Sequence, residues 1–376
     1  MQQFRRNLTK LLSVSLLLPT QVVSAFSTSS VNNLTGGNSA SLPKSLDLKT
    51  LYDNAVVIDG MIITRDWNKD AFAAMLETGY TGFHNSLIGN TLSIAKASLI
   101  EWRKKVDANP DTMLFATSAN DFLTAKKQGK IAIFCGFQNS SMIGNSIDNI
   151  DVLYELGTRW MQLTYNERNL LGDGSTERTN AGLSDFGIKA VERMNDLGIA
   201  IDLSHCGRQT TMDGITYSKK AVTINHSMCE ALYRNHPRAK TDEQIKAMAN
   251  KGGVIGIIGL GYMVGPDPGG KTTLENYVDH IEHAINVGGI DHVALASDFP
   301  IQGMMANGAT KENWYTPRLT RFKPSYQVRW PAHIPELDTT DRFRNVIQVL
   351  EKRKFKAREI EKLLGLNWIR YYQDTL

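Results

Sequence analysis

From about residue 49 onward, short apolar runs rich in β-branched residues alternate with longer segments whose apolar positions recur at helical spacing. Eight runs read as strands: 55–64, 79–84, 131–137, 159–165, 199–205, 221–226, 253–260 and 292–298. Between two of them, Phe186-Gly-Ile-Lys-Ala-Val-Glu-Arg-Met-Asn-Asp-Leu-Gly198 is apolar along one helical face, and its closing glycine suits a helix C-terminus. Another helix is expected over 242–251, opening on Asp242 and Glu243. Alternating units of this kind build parallel sheets. Eight strands predict a closed (β/α)8 barrel of the TIM type, a single domain over 49–376. An open doubly wound sheet is disfavoured, because no glycine-rich dinucleotide loop follows the first strand.

Two stretches break the repeat. Residues 301–335 are rich in Pro, Trp, Tyr and Arg and directly follow the eighth strand, so a lid-like loop over the barrel mouth is expected there. Residues 340–372 read as two amphipathic helices packed on the outside or base of the barrel. The start of the chain reads as a leader. Arg5 and Arg6 precede the apolar run 11–18, and Val23-Ser-Ala25 offers a cleavage point, the pattern of a secretory signal over 1–25, with a twin-arginine variant open. That apolar run is too short to span a bilayer. A Ser/Asn/Gly-rich tether is expected over 26–48, and the mature protein is expected to be exported, periplasmic or extracellular, with no transmembrane segment.

Composition narrows the partners. With 376 residues, 42% of them hydrophobic, the chain can bury a large core, and a formal charge of +4 dispersed along its length excludes nucleic acid as the expected partner. Cys135, Cys206 and Cys229 lack the spacing of a zinc knuckle or disulfide scaffold and read as thiols near the barrel mouth.

Candidate chemistry sits at the strand ends. His205 and His226 end two consecutive runs and Asp298 ends the last, and in a parallel barrel such ends converge on one mouth. Neutral imidazoles are good zinc ligands, and a nearby carboxylate can take the proton of bound water. Gln138, ending the third run, can offer a carbonyl oxygen to the metal, and Tyr165, ending the fourth, a hydroxyl to a substrate oxygen. Arg238, in His236-Pro-Arg238, can present a planar fork to a substrate carboxylate or pair with the acids after it.

These pieces in this order resemble the membrane (renal) dipeptidase family of zinc peptidases, a branch of the amidohydrolase-like barrels. The resemblance is carried by Val57-Ile-Asp-Gly60, Leu156-Gly-Thr-Arg159, Leu163-Thr-Tyr-Asn166, Gly182-Leu-Ser-Asp-Phe-Gly187, Met194-Asn-Asp-Leu-Gly198, Ile201-Asp-Leu-Ser-His205, Asn225-His-Ser227, His236-Pro-Arg238, Gly252-Gly253 and Ala296-Ser-Asp-Phe299. It implies hydrolysis of a dipeptide by zinc-activated water, with His205 and His226 as ligands of one zinc, Asp298 as ligand of the other and proton handler, Arg238 on the substrate carboxylate, and a homodimer. The departures lie at the site. Met61-Ile-Ile63 stands where the family has His-x-Asp, Gln138 where it has a bridging glutamate, and Tyr165 where it has a histidine. One zinc rather than two is therefore expected, on His205, His226 and Gln138, with Asp298 and Tyr165 catalytic and Arg238 binding a small peptide or carboxylate. Asp66 and His84 read as ordinary loop residues. A non-catalytic or non-hydrolytic descendant that binds a small carboxylate or peptide stays open beside the hydrolase reading.

Overall fold

The apolar runs become the staves of a barrel. The computed structural model describes residues 46–376 apart from 234 and 266–270; the leader expected over 1–25 and most of the expected tether lie outside the described residues. The strands are β1 (Ile58–Ile62), β2 (Gly82–Ser86), β3 (Met113–Phe115), β4 (Ile131–Phe137), β5 (Trp160–Gln162), β6 (Ala200–Asp202), β7 (Thr223–Ser227), β8 (Val254–Ile257) and β9 (Val293–Leu295). They pair in parallel in the order β1-β2-β4-β5-β6-β7-β8-β9. A parallel bridge between Ile62 and Phe299 links the two ends of this order. The result is the TIM-type (β/α)8 barrel that the alternation predicts.

The sequence does not mark β3. Its three residues pair with the first half of β4, Met113 opposite Ile131, whereas β5 pairs with the end of β4, Trp160 opposite Gly136. β3 lies off the closed order and pairs with β4 alone.

A buried acid reinforces the closure. Asp59 in β1 accepts from the backbone N–H of Met61 at 3.0 Å and of Ser297 at 2.8 Å, and from the Tyr80 hydroxyl at 3.2 Å. Arg342, also fully buried, lies 3.7 Å from it and donates to the carbonyls of Leu337, Thr339, Pro300 and Ile301. The Asp-Gly of the first strand thus ties the barrel seam to the segment that leads into the C-terminal helices.

The expected helices form where their caps place them. The helix Asp185–Leu197 starts at Ser184, whose hydroxyl accepts from Gly187 N–H, and ends at Gly198, at φ 76°. The helix Asp242–Asn250 starts at Thr241, which forms a reciprocal cap with Gln244. At the C-terminus the helix Arg342–Lys352 is followed by Ala357–Glu361, a π-helical turn over Lys362–Leu366 and the helix Asn367–Thr375. Trp368 and Tyr372 of this last helix are buried with Ile58, Met61, Phe134 and Trp160 of the barrel interior. A Cβ at Gly60 would lie 2.9 Å from the Trp368 ring and 2.7 Å from Asn225 O, so glycine is what admits this plug. Among the described residues no helix is long and apolar enough to cross a membrane.

Candidate functional site

β6 and β7 deliver two imidazoles to one point. His205 Nε2 and His226 Nε2 lie 3.0 Å apart, both side chains buried. His205 Nδ1 donates to Asn166 Oδ1 at 2.8 Å, and His226 Nδ1 donates to Asn225 Oδ1. A proton on each Nδ1 leaves a lone pair on each Nε2, so the facing nitrogens have no hydrogen to share. Burial, with the charge of Arg238, holds both imidazoles well below their ordinary pKa and therefore neutral. Two neutral imidazoles whose outer nitrogens are fixed by amide oxygens are the donor set that a metal ligand pair requires.

Gln138 stands beside them. Its Oε1 accepts from Ser86 Oγ at 3.1 Å, and its Nε2 lies 3.2 Å from His226 Nε2. A metal-bound Gln138 would have to turn its oxygen toward the imidazoles. Among the described residues no three His, Cys, Asp or Glu side chains gather closely enough to hold an ion, so Asp298 does not join the two imidazoles as a third ligand. Met61 is buried in the barrel interior and Ile63 lines the cavity, so the positions of a second ion's ligands carry apolar groups.

The cavity over this pair has a volume of about 530 Å³ and is lined by His205, Gln138, Tyr165 and Asp298. Tyr165 stacks on His205 with ring centroids 4.0 Å apart. Burial, reinforced by the nearby Tyr326 and Asp298, pushes its phenol above the ordinary range, so it keeps its proton. Asp298 adopts a left-handed backbone, φ 58°, as the chain leaves β9, and its N–H donates to Met61 O at 3.0 Å. Burial pushes its carboxyl up to about 7, although Arg238, Arg318 and Arg65 pull the other way.

Two expectations need correction. Arg238 does not present a fork to the cavity: it is fully buried, and its nitrogens donate to Ser204 O at 3.0 Å, His226 O at 2.7 Å and the Tyr326 hydroxyl at 2.9 Å. His236 completes this clamp by donating from Nε2 to Tyr326 O at 2.9 Å. The His-Pro-Arg loop therefore holds the segment around Tyr326, and it is Tyr326 that faces the cavity. Nor is His84 a loop residue. It lies inside β2, receives a hydrogen bond on Nδ1 from Asn225 Nδ2 at 3.3 Å, and donates from Nε2 to the Tyr372 hydroxyl. Burial pushes its pKa down to about 3. A hydrogen-bonded chain thus runs from the plug helix through His84 and Asn225 to His226. Asp66 is exposed and lies outside the cavity lining.

The three cysteines are buried free thiols outside the cavity lining, and burial pushes Cys135 up to about 12. Reading the sequence missed Asn166, the partner of His205, and the lining residues Arg65, Arg318, Arg321 and Tyr326. Asn166 stands within Leu163-Thr-Tyr-Asn166, so a motif pointed to it, and Arg318, Arg321 and Tyr326 stand in the Arg- and Tyr-rich segment 301–335; nothing local marks Arg65.

Comparison with known proteins agrees with this architecture. Dipeptidase tcpJ from Claviceps purpurea (strain 20.1) is 29% identical over 267 residues, covering 70% of this chain and 56% of its own length. The chain spans less than two thirds of the length of the curated relatives it matches. An amidohydrolase from Pseudomonas aeruginosa superposes with a TM-score of 0.78 at 30% identity, covering 88% of this chain and 99% of that one. A metallo peptidase from Rhodobacter sphaeroides, liganded with a phosphinate mimic of the dipeptide L-Ala-D-Ala, shares the fold with a TM-score of 0.71 at 17% identity, covering 86% and 99%. The family model of membrane dipeptidase, peptidase family M19, matches residues 84–321, well over half of the sequence. The chain belongs to the membrane dipeptidase family.

Proposed function

We propose that this protein is an exported dipeptidase-like metallohydrolase that cleaves a dipeptide or related small amide, with one zinc at His205 and His226. The observation that carries the reading is the facing pair of Nε2 lone pairs, 3.0 Å apart, of which His205 lines the cavity that also holds Asp298. An ion there supplies Lewis-acid polarisation of a carbonyl and a water acidic enough to attack at neutral pH. The remaining work falls to the chain. Asn166 and Asn225 hold the two imidazoles in the tautomer that points Nε2 inward. Asp298, with a carboxyl near pH 7, is suited to take the proton of the attacking water and return it to the leaving amine. Tyr165, which stays protonated, can donate to the carbonyl oxygen as charge develops on it.

The test is elemental analysis of protein purified without chelator, paired with a dipeptide screen in added zinc. About one zinc per chain is expected, and His205→Ala should lose both metal and turnover; a metal-free protein with full activity overturns the reading. One observation favours the alternative of a descendant that binds without cleaving. Gln138 Nε2 is placed to donate into the His226 lone pair that a metal needs. Tight dipeptide binding with no turnover at saturating zinc selects that alternative. Export is tested by sequencing the N-terminus of the mature protein.

A further inference from the structure

Three guanidinium groups line the cavity. Arg65, just after β1, donates to Ser86 O at 2.7 Å. Arg318 lies over the Trp314 ring, its guanidinium carbon 3.9 Å from the centroid, and donates to Trp314 O at 2.7 Å. Arg321 borders both this cavity and a neighbouring one of about 280 Å³. Among the described residues none of the three forms an ion pair with an aspartate or glutamate. The contrast is with Arg353 on the outer surface, which pairs with Glu275, Asp279 and Glu282.

Like charges gathered around one cavity repel one another, and the arrangement is relieved when a counter-charge enters. Asp298 is the only carboxylate among the described lining residues, so three guanidiniums face one acid. That acid is itself buried. Arg238 cannot supply the anion site, since its nitrogens are spent on two carbonyls and the Tyr326 hydroxyl. The three arginines come from two separate elements, the loop after β1 and the lid, so a ligand held between them would also tie the lid to the barrel. Any dipeptide brings one carboxylate. The excess of positive charge fits a second.

We propose that Arg65, Arg318 and Arg321 form an anion-binding cradle, and that the substrate is an acidic dipeptide or amide carrying two carboxylates. The substrate class rests on the hydrolase reading above; the cradle does not. The probes are glutarate and its monoamide glutaramate, which differ by one charge, titrated calorimetrically into the full chain at low and high salt. Glutarate should bind about tenfold more tightly, with an advantage that shrinks as salt rises and vanishes in Arg65→Gln/Arg318→Gln. Equal affinities, or a preference that survives the double variant, overturn the cradle. Should the double variant fail to fold, Arg321→Gln on an exposed side chain and the salt dependence of the unaltered chain decide the matter by the same criteria. A parallel assay compares hydrolysis of Ala-Glu and Ala-Gln by the zinc-loaded protein, and Ala-Glu should be cleaved with the higher kcat/KM. Glutarate preference without cleavage of either dipeptide leaves the cradle standing and removes the hydrolase reading. Equal cleavage of both with no glutarate preference does the reverse.

Discussion

Replacing Asp298 by asparagine should make the metal-free protein more stable, and by an amount that depends on pH. The carboxyl is pushed from 3.8 to about 7 by burial, and each pH unit of such a rise corresponds to about 1.4 kcal/mol. Because the folded-state value lies above the unfolded one, folding favours the protonated acid. That contribution is complete below pH 4 and is lost as the pH climbs through 7. Above that point the unaltered chain carries a buried charge that costs up to about 4 kcal/mol, a ceiling because the 8% of Asp298 that remains exposed is hydrated. Asparagine is isosteric, never ionises, and tolerates the left-handed backbone at φ 58°. Urea denaturation of both proteins in chelator at pH 4, 6 and 8 should therefore give nearly equal stabilities at pH 4 and an asparagine advantage of a few kcal/mol at pH 8. A difference that does not change with pH, or an asparagine variant that is weaker at pH 8, would refute the argument. In the zinc-loaded protein the same change should abolish turnover, so stability and activity would move in opposite directions.

Asn166→Leu and Asn225→Leu should each weaken zinc binding by about 10- to 100-fold, measured by competition with a chromophoric chelator, because each imidazole loses the acceptor that fixes its tautomer. Tyr326→Phe leaves the buried Arg238 short of one acceptor and should cost about 1–3 kcal/mol; faster hydrogen exchange over residues 322–327 would localise the loss to the lid. Arg342→Met strands the buried Asp59 and should cost about 3–5 kcal/mol in chemical denaturation. In Gly136→Ala the new Cβ would lie 2.2 Å from Trp160 O, so soluble yield and thermal midpoint should both fall sharply.

The barrel was legible because β-branched runs are long enough to carry a period, and because strand ends in a parallel barrel face one way. His205 and His226 could be paired from that rule alone, and the 3.0 Å between them is what it implies. Partnerships across the fold were not legible. Arg238 looked like an anion fork because its loop gives no sign of Tyr326, 88 residues away, which takes its Nη1. His84 looked like a loop residue because the apolar run stops at it, whereas β2 continues to Ser86 and turns the imidazole into the barrel. Arg318 and Arg321 stand in a segment with no periodicity, and only the folding of the lid over the mouth gives them meaning. Local pattern reports local structure; contacts between distant segments are set by packing.

The plug helix has a consequence for assembly. Tyr372 lies 288 residues beyond His84 in the chain, yet it anchors the relay that ends on His226. Without that helix Asn225 would keep its bond from Ser204 but lose the His84 ring that Tyr372 orients, so the amide that sets the His226 proton would be held from one side only. Full order at the imidazole pair would then wait for a contact that spans 288 residues of the chain.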